Sequence, residues 1–229
     1  PLSGQTIEVW HHLTTAERVL SIIDDAQSFA DSSVMLTFPD GLLYNGEDIS
    51  PVFLAAYMAS LRSYAAPQQS LAFTLPFEGL EGPDLNPYAG YLDDLANGGV
   101  FTFDETSLGQ LFVRYPRTTD PSTMLNANEI LVATVQFSNR YIALVLTPYL
   151  GLYRTSPQLY AQLRTAASAA ISALTNTNIS TIGSIIIGGT VGSIVRDPTN
   201  ANRVIVPITL TIAGIAEDIM QLQLTVVLG

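Results

Sequence analysis

The chain has 229 residues, no cysteine, and nine basic residues, all of them arginine, against twenty Asp and Glu, for a net charge of −11. Without cysteine, disulfide frameworks, thiolate catalysis and Cys-based zinc sites are excluded; without lysine, so are Schiff-base chemistry, the Walker A lysine and lysine general bases. The acidic balance repels phosphate backbones, so nucleic acid is not an expected partner.

Charged residues make up only 13% and hydrophobic residues 48%, with a mean hydropathy of +0.31, against about 25% charged in ordinary domains. A chain of this length buries about 70% of its unfolded surface without help from metals or disulfides. The apolar surplus goes either into an unusually large core or, the preferred reading, onto surface that partners cover. No run reaches the roughly 18 to 20 apolar residues of a membrane span: the stretch Ile130 to Leu146 is broken by Thr134, Gln136, Ser138, Asn139 and Arg140. No membrane partner is expected, and no signal peptide is visible. A start at Pro1 fits removal of an initiator Met or a piece of a longer protein.

The first predicted helix covers Thr15 to Ala30, with Thr14 and Glu17 as a capping box and Val19, Ile22, Ile23, Ala26 and Ala30 as its apolar stripe. Val34 to Phe38 reads as a buried strand ended by Pro39-Asp40-Gly41, followed by a polar loop, Asn45 to Asp48. Ser50 and Pro51 open a second helix, with Ile49 and Leu54 set as a hydrophobic staple and small residues Ala55, Ala56, Ala59 and Ser60 inside it. Residues 67 to 86, rich in Pro and Gly, read as a long connection. A short helix, Pro87 to Ala96, is capped by Asn86 and stopped by Asn97-Gly98-Gly99. Val100 to Phe103 and Leu111 to Tyr115 are predicted strands.

A long helix follows from about Ala127 to Leu146, with Asn126 and Glu129 in a box-like pair and apolar residues on nearly every side. Ser156-Pro157 starts a fifth helix whose stripe is Leu159, Leu163, Ala166, Ala167, Ala170, Ile171 and Leu174. The period then changes. Ile182 to Ile187 and Val191 to Val195 are apolar runs, while in 204–212 and 220–228 apolar residues recur at every second position, the two cleanest strand signals in the chain. The fold class is α/β: helices packed on mixed sheets, with a C-terminal helix pair on a three- to four-stranded sheet. We divide the chain into an N-terminal α/β part, 1–118, and a C-terminal domain, 119–229.

Nothing in the sequence assembles into a catalytic, cofactor or metal site. His11 and His12 are adjacent and face different sides, a poor metal pair. Asp24-Asp25, Asp93-Asp94, Asp104-Glu105 and Glu217-Asp218 are sequence neighbours, whereas carboxylate acid–base chemistry needs opposed positions across a cleft. Gly188-Gly189-Thr190-Val191-Gly192 lacks a phosphate loop's lysine and following helix, and reads as a hairpin turn. Arg114, Arg117, Arg154 and Arg164 are too sparse for nucleic acid but suit acidic protein surfaces.

The last strand is long, free of charge, Pro and Lys, and so hazardous as a bare edge. A strand from a second copy turns that hazard into an assembly device. Leu222, Leu224, Val226 and Leu228 are therefore expected to join a neighbouring subunit's sheet, and Ile7 and Val9 likewise.

The order of these segments resembles the contractile phage tail sheath family, related to the sheaths of contractile injection systems. The resemblance rests on the Ala-rich helix from Ser50 to Leu61 and on Leu95 to Val100. It includes the turn Arg117-Thr118-Thr119, the aromatic, Gly and Arg stretch Tyr149 to Arg154, the Ser/Pro-capped helix, and the strands near the C-terminus. It runs through most of the chain, more closely in 120–229. Family members often carry an extended starting arm and outer domains, whereas this chain is short, and residues 1–10 are expected to be the remnant of such an arm. The resemblance implies a non-enzymatic virion protein that needs no cofactor. It would form stacked hexameric rings around a tail tube, partnered by its own copies, the tube protein, and baseplate and tail terminator proteins. Contraction would be a rigid-body rearrangement that drives genome delivery, and Arg154 and Arg164 are the implied tube contacts. Another virion component, such as a terminator, baseplate or capsid-associated protein, is the alternative. Its place would be the phage tail, after assembly in the host cytoplasm.

Overall fold

A computed structural model describes residues 13–39, 42–44, 46–72, 80–81, 85–106, 110–149, 156–176, 183–200, 203–213 and 219–228. The chain divides into two compact units, one of residues 1–65 and 70–132, the other of residues 66–69 and 133–229.

In the first unit, helix α1 (Thr15–Phe29) starts on the expected capping box. Thr14 Oγ1 accepts the Glu17 N–H at 3.3 Å, and Glu17 Oε2 accepts the Thr14 N–H at 2.8 Å. Hydrogen bonds from the Thr14 N–H and the Thr14 hydroxyl hold the Glu17 carboxyl below its ordinary range. Strand β1 (Leu36–Phe38) follows, then a hairpin of β2 (Leu42–Tyr44) and β3 (Glu47–Ile49) paired from Leu42↔Ile49 to Tyr44↔Glu47. The predicted loop at 45–48 is therefore half strand. Gly46 in the connection sits at φ 79°, the left-handed conformation that tight hairpin turns give to glycine.

Helix α2 (Pro51–Tyr64) has Ser50 at its cap position, but the Ser50 side chain makes no capping bond, contrary to expectation. Leu54 and Met58 point inward, and Ile49 packs on the same core. Strand β4 (Leu80–Glu81) adds to β2, giving a small sheet ordered β3-β2-β4. The predicted helix 87–96 is split into a 3-10 turn, Asn86–Tyr88, and α3 (Leu92–Asn97). Gly90 lies at the break, where a helix would lose about 1 kcal/mol relative to Ala.

Strands β5 (Val100–Glu105) and β6 (Leu111–Tyr115) complete a mixed sheet ordered β1-β5-β6, with β1 parallel and β6 antiparallel to β5. Phe101 and Phe103 are fully buried at its centre, their ring centroids 5.5 Å apart. Helix α4 (Met124–Ala127) is capped by Thr123, and α5 (Glu129–Leu146) follows it after one extended residue. The expected start of the long helix at Ala127 is two residues early. Asn128 forms a strand-like bridge to Arg117, which an unbroken helix would forbid.

In the second unit, α5 continues into a 3-10 turn, Thr147–Tyr149. Helix α6 (Pro157–Thr175) is capped by Ser156, whose Oγ accepts the Leu159 N–H at 3.2 Å. All seven residues of its predicted stripe are buried. The sheet is made of β7 (Gly188–Val191), β8 (Val195–Arg196), β9 (Val204–Ala213) and β10 (Ile219–Leu228), ordered β10-β9-β7 with β8 also on β9.

Two expectations fail here. Residues 183–187 are not a strand, and the glycine-rich segment is not a turn but β7 itself, paired from Gly188↔Thr211 to Val191↔Ile208. The reason is close packing: a Cβ on Gly189 would lie 2.8 Å from the Thr209 carbonyl oxygen and 3.2 Å from Ile171 of α6. Only glycine lets helix and strand approach so near.

Candidate assembly interface

Strand β9 alternates cleanly. Val206, Ile208 and Leu210 have no exposure, and Val204 and Ile212 are nearly as deep, whereas Pro207, Thr209 and Thr211 are half-buried. Pro207 falls between the stretches of β9 paired to β7 and to β8, where a missing donor is least costly.

Strand β10 pairs antiparallel with β9 over ten positions, from Ile219↔Ala213 to Leu228↔Val204. Leu222, Leu224, Val226 and Leu228 thus sit across from Leu210, Ile208, Val206 and Val204. One edge of the terminal strand is satisfied within the chain, in a hairpin not anticipated from the sequence. The other edge carries no strand among the described residues, because β10 ends the sheet order. In an antiparallel strand alternate residues turn their N–H and C=O groups to opposite sides, so half of this ten-residue backbone is turned to the open edge.

Ile7, Val9, His11, His12, Arg154 and the Glu217-Asp218 pair lie outside the described residues. Arg164 is exposed on α6 and donates from Nη2 to the Gly192 carbonyl at 3.2 Å, which ties it to the end of β7. Asp24, Asp25, Asp93 and Asp94 are exposed, as read from their helical positions. Asp93 Oδ1 accepts the Tyr115 hydroxyl at 2.7 Å, and Asp104 pairs with Arg114 across the β5–β6 hairpin. Arg203 and Asp197 lie 3.6 Å apart, and hydrogen bonds from Thr199 hold the Asp197 carboxyl below its ordinary range. Among the described residues no three His, Cys, Asp or Glu side chains are grouped to hold a metal.

The Arg117-Thr118-Thr119 turn is a buried corner of the first unit. Thr119 N–H donates to the Val34 carbonyl at 2.9 Å, and Thr119 Oγ1 donates to the Asp31 carbonyl at 2.9 Å. Thr118 N–H donates to Ala127 O at 3.1 Å and Glu129 N–H to Pro116 O at 3.2 Å. Gly99, at φ 88°, passes beneath; a Cβ there would lie 3.0 Å from the Thr118 oxygen. The turn therefore fixes the start of α5 relative to β1 and β6.

Beside it, Arg62 Nη1 meets Glu129 Oε1 at 2.8 Å, with side chains only 15% and 4% exposed. Burial pushes the Glu129 carboxyl above its ordinary value, and Arg62 opposes that shift. No local pattern announces this pair, since its members are 67 positions apart.

The fold, a mixed sheet with helices followed by helices on an antiparallel sheet, is similar to parts of three solved structures. The chain is similar to the sheath tail protein of Desulfitobacterium hafniense, with a TM-score of 0.64 at 12% identity, over 87% of this chain and 46% of that one. It is similar to the sheath tail protein of Listeria innocua with a TM-score of 0.59 at 11% identity, over 83% and 48%. A chain of the anti-feeding prophage baseplate matches with a TM-score of 0.53 at 14% identity, over 63% and 40%. This chain thus spans less than half the length of each. No family model and no curated protein matches the sequence.

Proposed function

We propose that this protein is a structural subunit of a contractile phage tail, working in the sheath. It assembles with its own copies into stacked hexameric rings around the tail tube and contracts by rearranging subunits to deliver the genome. The observation that carries this reading is the open outer edge of β10, in a chain that shares its fold with two sheath tail proteins. Residues 119–229 are the sheath domain in this reading. The β10 edge, including the Leu222 to Leu228 segment, takes a strand from a neighbouring subunit, with Ile7 and Val9 as candidate donors. Closed rings follow from head-to-tail contacts of this kind when the rotation closes. Baseplate, terminator and tube proteins are the further partners, and the virion tail is the location, after assembly in the host cytoplasm.

Removing residues 220–229 and measuring assembly by sedimentation and electron microscopy tests the reading. Full-length protein is expected to form rings or tubes, and the truncated chain to remain dispersed; unchanged assembly would defeat the proposal. Tube contact belongs to Arg164, with Arg154 beside it in the reading. Arg164→Glu is expected to weaken binding to an acidic tube surface roughly tenfold, with the difference fading above about 0.5 M salt. Equal tube binding at every salt concentration would remove that role. A baseplate position is the second reading, favoured by the match to the anti-feeding prophage baseplate; isolated rings that never stack would select it.

A further inference from the structure

Helix α2 buries Leu54 and Met58 and leaves its other side bare. At about 100° per residue, Val52, Phe53, Ala56, Ser60, Ser63 and Tyr64 fall within an arc of about 120° on the side away from Leu54 and Met58. All six are exposed. Tyr64 at 91% and Val52 at 72% are the two most exposed large apolar residues described, and Phe53 is 69% exposed.

This face makes no polar demand on a partner. The Ser60 and Ser63 hydroxyls donate back to the Ala56 and Ala59 carbonyls at 2.9 and 2.8 Å. The single charge of the helix, Arg62, is turned to Glu129, and its side chain is 15% exposed. Covering the face therefore strands neither a serine hydroxyl nor a charge. Exposed apolar surface of this kind marks an interaction site.

Two features fit the face to a second copy of itself. The first is register. Phe53, Ala56, Ser60 and Ser63 follow the alternating three- and four-residue spacing of a helix-pair seam. Run antiparallel on itself, the seam sets Ala56 against Ser60 of the second copy and Phe53 against Ser63 of the second copy. Each bulky ring meets a small residue, and the small centre lets the two backbones approach closely. The second feature is charge. Residues 1–65 and 70–132 hold 17 carboxylates and 4 arginines, a net charge of −13. Two such units repel, and an uncharged face is where they can meet without setting like charges together. Antiparallel packing also places the positive end of each helix dipole beside the negative end of the other.

We propose that in the dispersed protein α2 packs antiparallel on α2 of a second copy about a two-fold axis, giving a dimer. Six residues a side is small against the roughly 20 to 30 of a standard interface, so the contact is weak and exchangeable. Rings stacked with a single polarity contain no such axis, so the pair is released as copies enter the assembly proposed above. The dimer goes beyond that reading and stands without it.

Because the chain has no native cysteine, single-cysteine chains test the register directly. In dilute, dispersed full-length protein, a mixture of Ala56→Cys and Ser60→Cys chains is expected to oxidise to mixed disulfide dimers at least about tenfold more than either chain alone, with no larger species. Ala56→Glu sets a carboxylate of each copy beside the axis. It is expected to keep the parent's circular dichroism spectrum, to weaken the dimer at least about tenfold in sedimentation velocity, and to leave ring or tube formation intact. Like-chain disulfides as abundant as mixed ones, an A56E dimer as tight as the parent's, or a parent that stays monomeric while dispersed would overturn the proposal. Folded A56E chains that no longer form rings would overturn it too, by placing α2 in the assembly contact. A parent that forms the dimer but never rings or tubes would instead defeat the assembly reading and leave this one standing.

Discussion

Arg62→Met is expected to destabilise the first unit by about 3–5 kcal/mol at pH 7, the usual cost of stranding one member of a buried ion pair. Met keeps the apolar volume of the arginine stem, so the loss reports the charge. Glu129 then has its Oε1 partner removed, and its Oε2 has no hydrogen-bond partner among the described residues. The loss is also expected to depend on pH. Burial raises the folded-state value of this carboxyl, so protonation favours the folded chain. The stability it contributes is present at low pH and is lost as pH rises through the raised folded value. Removing Arg62 takes away the one influence that lowers that value. The deficit of Arg62→Met should therefore shrink by about 1 kcal/mol or more between pH 7 and pH 4, a tenfold change in an acid equilibrium being worth about 1.4 kcal/mol. Urea melts followed by circular dichroism at low protein concentration measure both numbers. An equal deficit at the two pH values would show that Glu129 carries no buried charge.

A pair of proline substitutions, Gln223→Pro and Leu224→Pro, should give opposite phenotypes. Neighbouring positions of an antiparallel strand turn their N–H groups to opposite edges. At one of the two, proline removes a ladder bond to Thr209 or Ile208 of β9 and weakens the hairpin. At the other, the hairpin stands and the open edge loses a donor. That second variant is expected to fold with the parent's circular dichroism spectrum, yet to lose self-assembly by about a hundredfold or more, since a proline is how natural edges refuse a partner. The truncation at residue 220 cannot make this distinction, because it uncovers β9 as well. Two folded variants that both assemble like the parent would show that the edge is idle.

Much of the second unit is legible in the sequence because its signals are periodic and long. The stripe of α6 repeats from Leu159 to Leu174, and 204–212 and 220–228 carry apolar residues at every second position, so a slip of register would turn an entire apolar row outward. Periodicity does not say which strand meets which. Two alternating segments of equal length stand close together before the chain's end, and alternation alone fits a partner in another molecule as well as the β9–β10 hairpin. Gly188 to Gly192 misleads because glycine usually marks a turn, whereas here it marks the nearness of Ile171. In the first unit the turn at Gly46 and the Gly90 break have local signals that the helix and loop patterns around them obscure. The Arg62–Glu129 pair has no local signal at all; only the tertiary fold joins residues so distant. Helix α5 is half legible: its all-round apolarity points to burial, yet Phe137 and Leu144 stay exposed.

Hydrogen exchange on residues 219–228, compared between dispersed and assembled protein, addresses the unfinished sheet edge without changing any residue. Amides that donate to β9 should exchange slowly in both states. The alternate set should exchange fast when the protein is dispersed and slow by about a hundredfold or more in assembled particles, as a second strand takes up the outer edge. Assembled particles in which that alternate set still exchanges at the dispersed rate would contradict the account.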